Sequence, residues 1–431
     1  MSRFLKIAIV LLAIAAMATP VMAEDMLSLG GQMRVRGWYK DADNANDSTA
    51  TWADQRLRIG GKLSIADGVS ITFRTDITES VWGSGNVYGS GRIGMQQWDR
   101  AHIDLKFSDG FSVRAGQQFV WFLESGAFNT QSNGVKAVIG AGPVKITPFF
   151  FLEKNNDVAK SAAHAVVSED PAAPGTCACE WVSASDPAYK SDGFTYGANA
   201  AFGDDTFKAN VLFAAQNKVN NADEDVYLFG ADVKLNFDVV NIIAEMNYFT
   251  GDANATQDAY GLQGFVDASF GLGEAMTLGG QVYYADGDTK DAQYITLGND
   301  FGGWDPLNEH GTGLNNEQIT PGSANMFGTS ARPYGIFAPG AGVMAGRIYL
   351  DAKIGDDMTL GGSVSYLEPE EDSVTAVDSA INTTVGLHYN VMANTSIGAQ
   401  VEYISIDQSS AASPDAPEDA LAAGFGLFVN F

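Results

Sequence analysis

Cysteine, histidine, positive charge and long apolar runs are all scarce in this 431-residue chain. Two cysteines cannot staple a disulfide scaffold. Lysine and arginine number 25 against 52 acidic residues, a formal charge of −27, which argues against a nucleic-acid partner because phosphate binding needs clustered cations. No bundle of apolar membrane helices fits either, since each helix would need about 20 consecutive apolar residues. Disorder is excluded by a hydrophobic fraction of 45%. What the chain has in excess is glycine, 48 residues against 13 prolines, well above the ~7% of average usage.

The one apolar run lies at the N-terminus and is short. Arg3 and Lys6 precede an apolar stretch from Ile7 to Ala18, and Val21-Met22-Ala23 ends in small residues of the A-x-A kind. This is the pattern of a cleaved Sec signal peptide, residues 1–23, with the mature chain beginning at Glu24. No cysteine follows the cleavage site, so a lipid anchor is not indicated. The predicted product, residues 24–431, is a single exported, acidic domain.

Beyond Glu24 apolar and polar residues alternate with a period of two along nearly the whole chain, the signature of strands with one apolar face. Leu57, Ile59, Leu63 and Ile65 alternate with Arg56, Arg58, Lys62 and Ser64. Ile397, Ala399, Val401 and Tyr403 alternate with Ser396, Gly398, Gln400 and Glu402, and the last segment reads Leu421, Ala423, Phe425, Leu427, Val429, Phe431.

The connections alternate too. Tight turns fall at Asp67-Gly68, Ser108-Asp109-Gly110, Gly140 to Pro143, Gly203-Asp204-Asp205, Asp238, Gly271 to Glu274, Gly355-Asp356-Asp357 and Asn390. Between them lie longer polar stretches near 40–52, 80–94, 121–132, 154–191, 217–223, 250–257, 287–341, 368–377 and 406–419. Such spacing predicts about 18 strands, with 16 as the alternative, in an all-β, antiparallel, up-and-down transmembrane barrel with short periplasmic turns and long extracellular loops. A soluble two-layer sandwich also alternates, but it does not call for turns at one rim and loops at the other. Phe107, Phe111, Phe202, Phe207, Phe237, Phe270 and Tyr389 flank the tight turns, as an interfacial aromatic girdle would. In hydrocarbon an unpaired backbone group costs several kcal/mol, so the sheet must close, and 26–39 is expected beside 420–431.

With this signal peptide, strand pattern and terminal Phe431, the chain resembles the general-diffusion porins of the Gram-negative outer membrane. The resemblance spans the mature chain and implies a non-enzymatic, water-filled channel for ions and small hydrophilic solutes. Its variants are a sugar- or anion-selective channel and a surface adhesin or envelope-anchoring barrel. In that family a C-terminal aromatic residue is read by the barrel assembly machinery, the role Phe431 would take, and the typical assembly is a homotrimer in contact with outer-membrane lipid and lipopolysaccharide.

If apolar side chains face lipid, their alternates face the lumen. Arg34, Arg36, Arg56, Arg58, Arg74, Arg100 and Arg114 all take polar-face positions in the first five strands, and no arginine occurs from 115 to 331. These seven would gather on one sector of the wall. Porins set a similar cluster against acidic residues on an inward-folded third loop. By that resemblance Glu124, in the third connection, is the opposing carboxylate, unless 287–341 forms the constriction. A plainer reading has the arginines solvating the lumen and pairing with Asp76 and Asp104. Trp38 and Trp98 are candidate lumen aromatics without forming a continuous stripe.

Other motifs are weak. Gly89 to Gly94 matches GxGxxG but lies in a loop without a strand-to-helix unit. For Cys177-Ala178-Cys179 a local disulfide, a metal contact and two free thiols are all open, the disulfide being favoured in an oxidising compartment. The four histidines show no ligand spacing, so no metal site or cofactor is expected. Weak calcium binding at Asp41-Ala42-Asp43 and Asp286-Gly287-Asp288 would use carboxylate oxygens alone. An enzyme would have to draw its base from His102 or His388 on predicted strands, and no GxSxG occurs.

Overall fold

A computed structural model describes residues 26–42, 48–82, 97–154, 193–219, 223–287, 290–294, 340–408 and 419–431. In chain order the strands are β1 (Leu27–Ala42), β2 (Ser48–Ala66), β3 (Val69–Val81), β4 (Gln97–Ser108), β5 (Phe111–Phe122), β6 (Phe128–Ala141), β7 (Val144–Lys154), β8 (Gly193–Gly203), β9 (Phe207–Asn217), β10 (Asp225–Phe237), β11 (Val240–Asn254), β12 (Gln257–Leu272), β13 (Met276–Ala285), the two-residue β14 (Ala292–Gln293), β15 (Val343–Ile354), β16 (Met358–Glu368), β17 (Val377–Met392), β18 (Thr395–Gln408) and β19 (Ala420–Asn430). Apart from β14, which lies parallel to β12, each strand pairs antiparallel with its neighbours. The eighteen long strands therefore form one meander that closes on itself.

Closure is made by β1 and β19, in register from Gln32 opposite Asn430 to Ala42 opposite Ala420. The seam extends past the strand end, where Gly31 and Phe431 exchange backbone hydrogen bonds of 2.7 and 3.1 Å. Gly31 is required here, because a Cβ would sit 2.4 Å from the Arg58 backbone carbonyl oxygen on β2 and 2.6 Å from the Phe431 ring. The closed ladder leaves no edge to face hydrocarbon.

The alternation read from the sequence sorts side chains to two faces. Leu29, Val211, Val282, Ile348, Val385 and Phe425 are exposed on the outside, where a bilayer would meet them. On the same or adjacent strands Arg36, Asp232, Gln281, Arg347 and Gln400 point inward and are buried. Phe107, Phe111, Phe202, Phe207, Phe237, Phe270 and Tyr389 are all exposed near the short-turn rim, with Phe107 on Phe111 (5.2 Å) and Phe202 on Phe207 (5.9 Å).

Three expectations change. The third connection is a five-residue turn, 123–127, because β5 and β6 stay paired up to Phe122 opposite Phe128. Residues 250–257 are nearly all strand, since the Asn254 side chain accepts from the backbone of Thr256 and Gln257 and closes a tight turn. The last tight turn falls beyond Asn390, after a bulge between Asn390 and Met392.

The inner face also departs from the expected wet wall. Toward the loop rim it is apolar in two clusters, one around Phe265, Tyr283, Leu367 and Ile404, the other around Phe128, Phe151, Leu212 and Phe249. Here alternation gives way to runs that are apolar on both faces, such as Phe149-Phe150-Phe151 and Val226 to Phe229. Residues 1–23, Cys177, Cys179 and the GxGxxG segment lie outside the described residues.

Candidate functional site

Strand register brings the seven arginines of β1–β5 onto one inner wall. Arg34 lies opposite Arg56, Arg74 opposite Arg100, and Arg114 opposite Lys136 of β6. Like charges directly across a ladder repel, and four aspartates interleaved among them relieve this. Asp54 accepts from Arg36 at 2.9 Å and from the Trp38 indole at 2.6 Å. Asp76 holds Arg58 through two bonds of 2.6 and 3.1 Å. Asp99, carried inward at a β4 bulge, takes Arg74 at 2.5 Å and lies 3.7 Å from Arg58. Asp104 takes Arg114 at 2.6 Å and lies 3.5 Å from the His102 ring. Both acids foreseen as partners, Asp76 and Asp104, are thus in ion pairs.

The arginines differ in access. Arg34, Arg36 and Arg56 are buried, whereas Arg58, Arg74 and Arg114 retain 17%, 28% and 33% of their side-chain surface. The Arg100 guanidinium lies 5.8 Å from the Phe119 ring centre, in a cation–π contact. Among the described side chains this wall sets seven arginines and Lys136 against four aspartates. Trp38 points inward and stacks on Trp52 at 6.1 Å, but Trp98 does not line the lumen: it is exposed on the outside, edge-on to Phe73.

The turn 123–127 reaches across the barrel to β10 and β11 on the far side of the second apolar cluster. The Glu124 amide donates to Asp232 at 3.2 Å and the Ser125 amide to Glu245 at 2.8 Å. The Ser125 hydroxyl also donates to Glu245, which further accepts from Asn247 at 2.5 Å. The Glu124 carboxylate lies 3.9 Å from Lys234 of β10, so the turn carries it to a cation outside the arginine-bearing strands. Leu123 adopts a left-handed backbone (φ 66°) and sets its side chain over Gly230, where a Cβ would be 2.4 Å away. Such strain persists in a branched residue only where the surroundings over-determine it.

Glu245 and Asp232 escape sequence reasoning because the turn amides they accept lie more than 100 residues away and only the curving of the sheet brings them near. The one available signal is Glu245-Met246-Asn247, a carboxylate and an amide on the polar face of an otherwise apolar strand. Opposite the arginine wall, Asp267 accepts from Tyr349 at 2.9 Å, and Arg347 lies 5.4 Å over the Tyr349 ring. Asp41 is taken up by Tyr39 and Thr49, and Asp286 by Tyr284. Among the described residues no group of three or more His, Cys, Asp or Glu side chains is placed to hold a metal ion.

A closed antiparallel barrel of eighteen long strands, apolar outside, with charge on its inner wall, has the architecture of the Gram-negative outer-membrane porins. Solved porins share it from end to end. The BenF-like porin of Pseudomonas fluorescens Pf-5 superposes with a TM-score of 0.58 over 94% of this chain and 99% of that one, at 10% identity. OccK2 of Pseudomonas aeruginosa in complex with glucuronate gives 0.55, 94%, 98% and 9%. OccAB4 of Acinetobacter baumannii gives 0.55, 95%, 99% and 10%. At such identities the likeness is one of fold. No family model and no curated protein matches the sequence.

Proposed function

We propose that this protein is a non-enzymatic outer-membrane channel through which ions and small hydrophilic solutes diffuse passively, with anions favoured. The carrying observation is the inner wall of β1–β6, where Arg58, Arg74 and Arg114 reach the lumen and, among the described side chains, cations outnumber carboxylates. An anion passing this wall exchanges part of its hydration for guanidinium contacts, which a cation cannot do. That a solved barrel of this shape holds glucuronate, a carboxylate, supports the same preference. The outward apolar belt supports placement in the outer membrane among lipid and lipopolysaccharide, with Phe431 presented to the assembly machinery and a homotrimer as the assembled form.

Purified full-length protein in a planar bilayer under a salt gradient tests this. An ohmic conductance whose reversal potential lies on the anion side is expected. Replacing Arg74 and Arg114 together with serine should move that potential toward cation selectivity with little loss of conductance. A silent bilayer from folded barrels would reject the channel. An unmoved potential would remove the arginine wall from the selectivity.

A further inference from the structure

We infer that the turn 123–127 is a fixed partition that seals the part of the lumen enclosed by β6–β10, and that Glu245 is the positioning residue that holds it there. The inference rests on the channel reading and adds where solutes cannot go. The partition is built from its floor upward. The Phe149 ring lies over Gly197 of β8 and the Phe151 ring over Gly134 of β6, where Cβ atoms would be 2.8 and 2.5 Å from them. Rings laid flat on both neighbouring strands pave the wall. Phe122 and Phe128, flanking the turn, then pack tilted against Phe149, with ring centres 5.2 and 4.9 Å away. Leu212, Leu228 and Phe249 close the same cluster from β9, β10 and β11.

An ion cannot cross such a core without shedding its hydration for no polar replacement. Thr130 and Thr195, inward-facing on β6 and β8 beside the cluster, are buried accordingly. Two buried carboxylates hold the turn: Asp232 takes the Glu124 amide, and Glu245 takes most of the remaining donors. Glu245 gathers the Ser125 amide, the Ser125 hydroxyl and the Asn247 amide, three donors that an acceptor-only group satisfies and an alanine would strand. Conduction is left to the side of the arginine wall.

Cysteine labelling of the full chain with a charged, membrane-impermeant thiosulfonate tests the partition, in a background where Cys177 and Cys179 are serine. Thr72→Cys, on the arginine wall, should react readily. Thr195→Cys should react at least about tenfold more slowly, as expected when exposure requires local opening. Adding Glu245→Ala to Thr195→Cys should bring its rate close to that of Thr72→Cys, and Glu245→Gln, which keeps one acceptor oxygen, should fall between. Equal rates for Thr72→Cys and Thr195→Cys in the otherwise intact protein would overturn the partition, and an unchanged Thr195→Cys rate with Glu245→Ala would overturn the role of Glu245. Because the readout is mass change in folded barrels, it is independent of whether wild type conducts.

Discussion

At the scale of single residues, short polar side chains close turns at the short-turn rim. Asp204 accepts from the backbone N–H groups of Thr206 at 2.9 Å and Phe207 at 3.1 Å, closing the turn between β8 and β9. These bonds favour the charged form and hold its carboxyl below the ordinary carboxylate range, the Phe207 amide contributing most. A depressed folded pKa means that the stabilisation is complete above the unfolded value and is lost as pH falls through the folded one. Exchange of the Thr206 and Phe207 amides, corrected for intrinsic rates, should therefore accelerate as the pH drops below about 4. Asp204→Asn keeps an acceptor without a titrating group and should abolish that acceleration. Equal pH dependence in both proteins would assign the protection elsewhere.

At the scale of elements, strands and turns were legible in the chain because a period-two pattern is local. Leu57 to Ile65 and Ile397 to Tyr403 face outward in the order the alternation requires, and seven of the eight tight turns fall where the Gly and Asp clusters put them. Sequence failed where local polarity and pairing diverge. Residues 121–132 read as a loop because Asn129, Thr130, Gln131 and Ser132 are polar, yet they pair with β5 along a continuous ladder. Pairing also sets the cost of breaking the seam. Met33 lies opposite Val429 on one side and Leu57 on the other, so Met33→Pro removes a ladder donor within the apolar belt and leaves a carbonyl unpaired there, at a cost of several kcal/mol. Folding into detergent micelles, followed by heat-modified gel migration, should show loss of the compact form for Met33→Pro and retention for Met33→Leu.

At the scale of the whole molecule, charge is segregated: the chain is acidic overall, with −27 formal charges, yet the described side chains of its β1–β6 inner wall are mostly cationic. Fields from partly exposed arginines are screened over about 10 Å at 0.1 M salt and about 3 Å at 1 M. Anion preference measured by reversal potential should accordingly weaken between 0.1 and 1 M salt at a fixed gradient ratio. A preference indifferent to ionic strength would point to pore shape instead. The partition at 123–127 belongs to this scale as well, since Glu245 and Ser125 meet only once the intervening strands have curved into a wall.

The amino-acid order by itself determined which side chains share a face, where most turns fall and that seven arginines would share one sector, because each follows from spacing along a chain whose neighbours pair in sequence. Only the tertiary structure decided which inner positions are dry, that Glu124 meets Lys234, and that a carboxylate on β11 holds a turn from β5 and β6. Those outcomes depend on what stands across the lumen, and that distance is fixed by how far the sheet bends before its first and last strands join.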